Sequence, residues 1–584
     1  MNTAKINPRR LASRSYVLLV VLILGAISAV VLGSSVTRTI HTATLNERNN
    51  QYAINLCAAE AATEKVIARM MADYQNGGEA LVTSHLDLYR DRFPDAGDDP
   101  YWEQFEFSNG LENGENETYV ERISNPNYVR LESQFCGLYG WASTYRVLSN
   151  AKLKSGRYTT VVGAVQQDVQ IATIPLFQFA FFYNGLLEFT VARDLTANGR
   201  VHANGDIFLG AAGPVTFNTP VTAAGTIQKR TEWGRTTFGG SGDNTFNGLP
   251  DYRTNVACLS LPIGTANTSF NVHKIIEIPE AGEPVDSPMG RERFYNKANM
   301  VILIDDYYGT NVVITAELKS SASDPARITI QWTASQPFFL DNGRFKDQRE
   351  GSWMDTTEVD IDKLGLWINT DVNVAAKFSV VNPLKIVYIA DRRASRRTAV
   401  RLVNGTELPG SAAGFTIATP NPLYVMGDYN VPFDIRVPAA LVSDALTVLS
   451  GNWLDSDSTN TVSARVAHST IINAAIITGN VPSRGLVGDA PFSGGAMNLV
   501  RLLENWGGSV LTVNGSFVNL YESTEATGWF LFPPSYYQPP TRQFNFDSSY
   551  TNSSKLPPGT PMLSALIRAK WASPPPNTTT YAAE

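Results

Sequence analysis

YVLLVVLILGAISAVVLG, Tyr16–Gly33, sets the terms for the rest of this chain. It is an apolar run with no charged residue, and at ~1.5 Å per residue a helix of that length just crosses a bilayer core. Tyr16, Leu22, Gly25 and Gly33 mark its start, its middle and its end. No Gly or Pro follows until Gly77-Gly78, so the helix is expected to run on well beyond the membrane and to stop there. In the continuation Tyr52, Leu56, Ala59, Thr63, Val66, Ile67, Met70 and Tyr74 recur at spacings of three and four. That is one stripe of an amphipathic helix, and it predicts a packing face.

The flanks orient the span. Lys5, Arg9, Arg10 and Arg14 precede the run with no acid among them, and Arg38, Glu47 and Arg48 are the first charges after it. The positive-inside rule puts this leader (1–15) in the cytoplasm and the chain beyond the span on the other side of the membrane. A cleaved signal peptide also begins basic and then apolar. Here the run is longer than a signal core, lacks an A-x-A close and flows into an amphipathic helix, so retention is expected.

The basic leader, the apolar run and AAEAATEKVI (Ala58–Ile67) together resemble the N-terminus of PilX-type pilus assembly proteins, a branch of the type IV pilin-like group. The resemblance implies a helix that waits in the inner membrane and later packs, with other pilin-like subunits, in the core of a pilus or pseudopilus. The Gly of the family's peptidase site and the Glu five residues into its mature chain have no counterpart at Ser13, Arg14, Ser15 and Tyr16. A minor or accessory role is therefore implied rather than that of a major subunit. Blocks such as GRVHANGDIFL (Gly199–Leu209), ATPNPLYVMGDYN (Ala418–Asn430) and SGGAMNLVRLLENW (Ser493–Trp506) resemble segments that follow this anchor in large bacterial pilus-like surface proteins.

Composition bounds the remainder. A chain of 584 residues, 43% apolar and 17% charged, has length for several domains, and 44 Gly and 32 Pro favour strands and turns. The net charge of −7 argues against general nucleic-acid binding. The one basic cluster able to attract an anion such as DNA is Arg392, Arg393, Arg396 and Arg397. With no aromatic residue between the arginines it reads as a solvated turn. Of three cysteines, Cys136 and Cys258 could form one bridge outside the cytoplasm, while Cys57 in the helix reads as a small buried residue.

The expected fold is mixed α+β and mainly β. After the helix (16–76) comes a pilin-like α/β head (77–176), whose strands are LYGWASTYRVLSNAKL (Leu138–Leu153) and YTTVVGAVQQDVQIATIP (Tyr158–Pro175). VHANGDI (Val201–Ile207) and VTAAGTI (Val221–Ile227) then share V-x-A-x-G-x-I. The short step from Val201 to Val221 suits the period of a β-solenoid whose coils stack Val, Ala and Ile. LYVMGDYNV (Leu423–Val431), NAAIITGNV (Asn473–Val481) and LTVNGSFVNL (Leu511–Leu520) repeat the style downstream. A right-handed parallel β-helix in two parts (177–235 and 374–540) is therefore expected. Between its parts lie a loop-rich linker (236–269) and an α/β insertion (270–373), and a Pro-rich arm and tail (541–584) follows. Within the insertion NVHKIIEIP (Asn271–Pro279) reads as a strand, FFLDNGRFKDQREG (Phe338–Gly351) as a surface loop and DTTEVDIDKLGLW (Asp355–Trp367) as a short helix.

Catalytic motifs are sparse. H-E-x-x-H, C-x-x-C, the phosphate-binding G-x-x-x-x-G-K-[ST] and G-x-S-x-G are all missing from the sequence. His41, His85, His202, His273 and His468 have no ligand spacing, and no metal or cofactor is expected. His202, whose counterpart one repeat on is Thr222, reads as a coil-surface residue, and the Gly-rich FGGSGDNTFNG (Phe238–Gly248) as a loop. β-Helices include polysaccharide lyases and hydrolases that line one face with acids and bases from successive coils. Asp206, Asp391 and Asp428 are the candidates for that chemistry, read first as turn residues. A non-enzymatic anchored subunit is the favoured reading, and a membrane-tethered β-helix enzyme or adhesin acting on polysaccharide is the alternative.

Overall fold

The computed structural model describes residues 12–190, 195–210, 213–229, 244–248, 252–307, 311–320, 324–332, 336, 338–378, 382–394, 396–409, 412–432, 436–484, 491–531 and 535–576. The basic leader through residue 11, most of FGGSGDNTFNG and the last eight residues lie outside that set.

One helix runs from Ala12 to Ser84. The stop expected at Gly77-Gly78 is a kink instead: Gly78 takes φ 66°, ψ −165°, open to glycine and strained for other residues, and the helix resumes. It resumes because the chain beyond still has a face to bury. Val82 and Tyr89 are sealed in the same core as Val66, Met70 and Tyr74. The Asp73 carboxylate holds that return, accepting hydrogen bonds from His85 Nδ1 and the Tyr89 hydroxyl, both at 2.9 Å.

The head is an antiparallel sheet centred on Tyr139–Leu153 and Gly163–Pro175. Three short strands, Phe105–Ser108, Tyr119–Arg122 and Asn127–Arg130, pair along the outer edge of Tyr139–Leu153. The opposite edge is not supplied by the head's own stretch of sequence. Met562–Ala572 crosses back from the far end of the chain and pairs antiparallel with Gly163–Pro175. The head expected at 77–176 therefore needs residues 562–572, which belong to the stretch expected as a Pro-rich arm and tail. Residues 535–546 likewise enter the fold: Tyr536 and Tyr537 are buried and Thr541–Phe546 is a strand. The helix lies so close across the head sheet that a Cβ on Gly163 would collide with the backbone of Asn55 and Leu56.

The body is built mainly from parallel strand pairs, with antiparallel pairs where Asn311–Leu318 joins Met300–Tyr307 and Ile328–Trp332 and where Phe339–Asp347 joins Ser352–Asp360. Strands one repeat apart in sequence are hydrogen-bonded neighbours, Val201 beside Val221 and Ala203 beside Ala223 in one sheet, Ile207 beside Leu187 and Ile227 in a second, and Val215 beside Leu195 in a third. Like residues consequently stack on like. Asn218 bonds Asn198 and Asn247 bonds Asn218, at 2.8 and 2.9 Å, and the rings of Phe217 and Phe246 stack at 5.2 Å. A second stack, Ile386–Asp391, Phe415–Ala418, Ala439–Ser443, Ala475–Thr478 and Phe517–Asn519, is parallel throughout. Its last strand pairs with Phe179–Tyr183, the first strand of the other stack, so that one sheet of twelve strands runs through both. The join brings together an early and a late segment of the body, and stacked Phe181 and Phe517 bridge it.

The segment expected as a separate α/β insertion is mostly part of this body. Met300–Tyr307 extends the twelve-stranded sheet beside Ile386–Asp391, and Ser352–Asp360 extends a six-stranded one beside Thr398–Val403. Phe338–Gly351 is no surface loop: Phe339–Asp347 is a strand with Phe338, Phe339 and Phe345 buried. The short helix starts at Ile361, capped by Asp360, after a strand. Asn271–Pro279 is helical through Ile276. This crossover, residues 255–299, passes along the outer face of the large sheet. Leu259, Ile275 and Ile276 share a core there with Tyr388, Val442 and Ile477 of the sheet and Leu563 of the head.

Candidate functional site

The apolar helix is the first candidate. Among the described residues it is the one helix long and apolar enough to cross a membrane. From Tyr16 to Asn50 every residue is exposed except Thr44, which is half-buried. Tyr16, Leu22, Gly25 and Gly33 all lie on this uncovered portion; Leu22 is 63% exposed, and a Cβ on either glycine would meet nothing within 4 Å.

Burial begins at Gln51. Of the stripe proposed from spacing, Ala59, Thr63, Val66, Ile67, Met70 and Tyr74 are buried. Tyr52 is exposed and bonds Ser573 through its hydroxyl at 3.0 Å, while Leu56 is half-buried. At that end the face is turned by one residue, and Gln51 and Asn55 are buried instead. Their amides donate to the carbonyls of Tyr158 and Val161, both at 2.8 Å, tying the helix to the turn before Gly163–Pro175. Cys57 is exposed, not buried, because the same rotation puts it outside. Cys136 and Cys258 are free thiols, so the bridge expected between them is not formed.

The polar candidates of the body resolve into structural contacts. Asp206 accepts from Thr226 N and Oγ1, one repeat on, and Asp428 accepts from Ile471 N. Asp391 is sealed with Arg393, both side chains at 0% exposure and 2.6 Å apart. Arg392 pairs with Asp305, Arg397 bonds Ser352, and Arg396 is exposed, so the basic cluster does not form one free patch. His202 is buried, not on the coil surface. It lies between the Thr222 hydroxyl at 2.8 Å and Asn204 at 3.0 Å, stacked on Phe182, and burial drives its pKa down to about 4.

A row of polar side chains does cross successive strands. Glu358, Arg401, Tyr424, Thr447 and Arg501 are register partners in turn. A glycan-cleaving β-helix would need such a row open. Here it is roofed: Arg401 forks onto Asp455 at 2.6 and 3.0 Å, Tyr424 donates to Asp347 at 2.6 Å, and Arg501 pairs with Glu350 at 2.7 Å. Arg401, Tyr424, Thr447 and Arg501 are all buried.

Sequence spacing missed one cluster. On the crossover, His273 lies between Glu277 (Nδ1, 2.6 Å) and Asp444 (Nε2, 3.1 Å), with the Thr524 hydroxyl 3.2 Å from Nε2. The acid–imidazole–hydroxyl order is that of an activated nucleophile, but the electrostatics are wrong for one. Burial alone would depress the imidazole. The bonds to Asp444 and Glu277 outweigh it and hold the pKa up to about 9, so at neutral pH the ring is an imidazolium and not a base. Asp444 also accepts from Thr524 N and Ala526 N, at 2.6 and 2.9 Å. The cluster staples the crossover to the body. No group of three or more His, Cys, Asp or Glu suited to a metal ion occurs among the described residues.

No protein-family model matches the chain, and no curated protein matches it. Among solved structures it is similar to the competence-associated pilin ComZ from Thermus thermophilus, at 10% identity and a TM-score of 0.27, over 90% of this chain and 98% of that one. That likeness is too slight to argue from.

Proposed function

We propose that this chain is a membrane-anchored, non-enzymatic pilin-like subunit, minor or accessory, of a type IV pilus or pseudopilus. One observation carries the reading: a single helix is apolar and uncovered over its first half and docked on an antiparallel sheet over its second. The uncovered half is stable only where lipid or neighbouring helices replace water around it. Residues 34–50, largely polar and exposed, span about 25 Å as a helix and hold the head clear of the membrane surface. The leader stays in the cytoplasm and the head and body lie outside the inner membrane.

The body is read as a right-handed parallel β-helix in two parts, supported by the repeat-on-repeat stacking and by the asparagine and phenylalanine ladders. Its role is display and contact. The roofed polar row and the charged His273 cluster weigh against a tethered glycan-cleaving enzyme.

Fractionation of cells producing the full chain tests this. The protein should stay with inner membranes after carbonate extraction, and in spheroplasts protease should reach the body but not the leader. Recovery of the chain in the soluble fraction, trimmed just after Gly33, defeats the proposal.

A further inference from the structure

We propose that the cleft at the junction of the two strand stacks binds a short neutral saccharide. The cleft holds about 350 Å³, at the small end of ligand pockets and enough for one or two sugar rings. Its walls come from several stretches of the chain, among them the corner after the first strand of one stack (Asn184–Leu186), two corners of the other (around Pro482 and at Asn519–Glu522) and the crossover at 267–269. It exists because two stacks meet there that do not follow one another in sequence.

Charge narrows the ligand class. No lysine lines the cleft, and Arg484 at its rim is committed to Glu522 at 2.7 Å. The buried Glu188 carboxylate accepts hydrogen bonds from Ser483 (2.5 Å) and Ser493 (2.7 Å). A lining with a carboxylate and no uncommitted cation disfavours phosphates and uronates. What it offers is hydroxyls, amides and backbone carbonyls, the donors and acceptors that sugar hydroxyls pair with. Two lining residues have capacity to spare among the described residues. The Tyr183 hydroxyl, on a side chain almost wholly buried, makes no hydrogen bond, and the side chain of half-buried Asn480, whose backbone N–H donates to the Tyr521 carbonyl, makes none either. An unmade bond at a buried hydroxyl is unfavourable, and a ligand hydroxyl that completes it recovers that loss. Next to the lip residue Ser269, the ring of Phe270 is 71% exposed; the Lys274 ammonium, paired with Glu280 at 2.8 Å, stands 5.3 Å from the ring centroid, and the exposed ring suits the C–H face of a sugar. The proposal is independent of whether the helix anchors the chain.

The test uses the full chain in a zwitterionic, sugar-free detergent. Saturation-transfer NMR and calorimetry are run with maltose, lactose and N,N′-diacetylchitobiose, with sialyllactose as the anionic control. At least one neutral disaccharide should bind in the millimolar range or tighter, with sialyllactose binding no better. Asn480→Leu, which puts an apolar branch at the mouth, should weaken binding about tenfold, and Tyr183→Phe, which removes only the hydroxyl, by a smaller factor. Both variants should keep the parent's thermal transition; if Asn480→Leu loses it, Tyr183→Phe decides. Failure of all three neutral sugars, stronger binding of sialyllactose, or neutral binding untouched by the deciding variants would overturn the assignment.

Discussion

The two halves of the long helix share a secondary structure and little else. Residues 16–50 bury nothing against the protein beyond a half-covered Thr44, whereas residues 51–84 present Ala59, Val66, Met70 and Tyr74 to a sheet that covers them almost completely. Helix geometry is local, so both halves form. What differs is the solvent each was selected for. The first half lacks a polar face around Tyr16–Gly33 and the second alternates apolar and charged sides, so one needs an apolar medium on all sides and the other a single partner.

The largest break in this contrast should come from charge in the first half. Leu22→Lys together with Leu24→Lys sets two cations near the middle of the span, each costing about 2.5–3.5 kcal/mol there. Membrane flotation should show the doubly substituted chain leaving the lipid fraction; unchanged flotation would mean that the span is not what holds it. Truncation should separate the halves next. Met70→Ala, at 0% exposure, should lower the head's resistance to urea by about 2–5 kcal/mol, while Leu32→Ala, 65% exposed, should leave it as it was. Equal effects from the two would erase the distinction.

A third test concerns the staple that fastens the crossover. The His273 pKa, about 9 in the folded protein against a usual 6.5, is raised, so its contribution is present in full below about pH 6.5 and is lost as the pH rises through 9. Asp444 and Glu277 are held below the usual carboxylate range and stay ionised across that window. His273→Gln should therefore destabilise the body at pH 6.5, by up to about 3 kcal/mol, and much less at pH 10. A pH-independent difference in urea midpoint would show that the imidazolium contributes nothing. The smallest effect is expected at the kink. Gly78→Ala forces a side chain into φ 66°, ψ −165°, costing about 1–3 kcal/mol, and should loosen residues 79–90 to proteolysis while leaving residues 51–76 docked. Uniform loosening along the helix would mean that the kink does not separate two segments.

Much of this architecture could be read in advance where a signal repeats or runs long. An uncharged apolar run marks the part of the helix that the rest of the described protein leaves uncovered. The return of V-x-A-x-G-x-I from Val201 to Val221 marks stacking, because identical residues must meet identical neighbours. The misreadings share a cause. Met562–Ala572 has a strand pattern, but nothing in it names Gly163–Pro175, at the other end of the chain, as its partner. His202 and Arg393 look like surface residues until the crossover and a neighbouring strand cover them, and the His273 cluster combines positions 171 and 251 residues apart. The cleft had no signal at all, since its walls come from segments that meet only at the junction.

By itself the sequence determined the rod, the stretch of it that water cannot solvate, and the period of the stacks, because each is a local property of side-chain spacing and polarity. Which strand closes the head, which charges are sealed and where the two stacks join became visible in the folded chain alone. Those outcomes depend on long-range pairing, and pairing follows from complementary surfaces that no single segment carries.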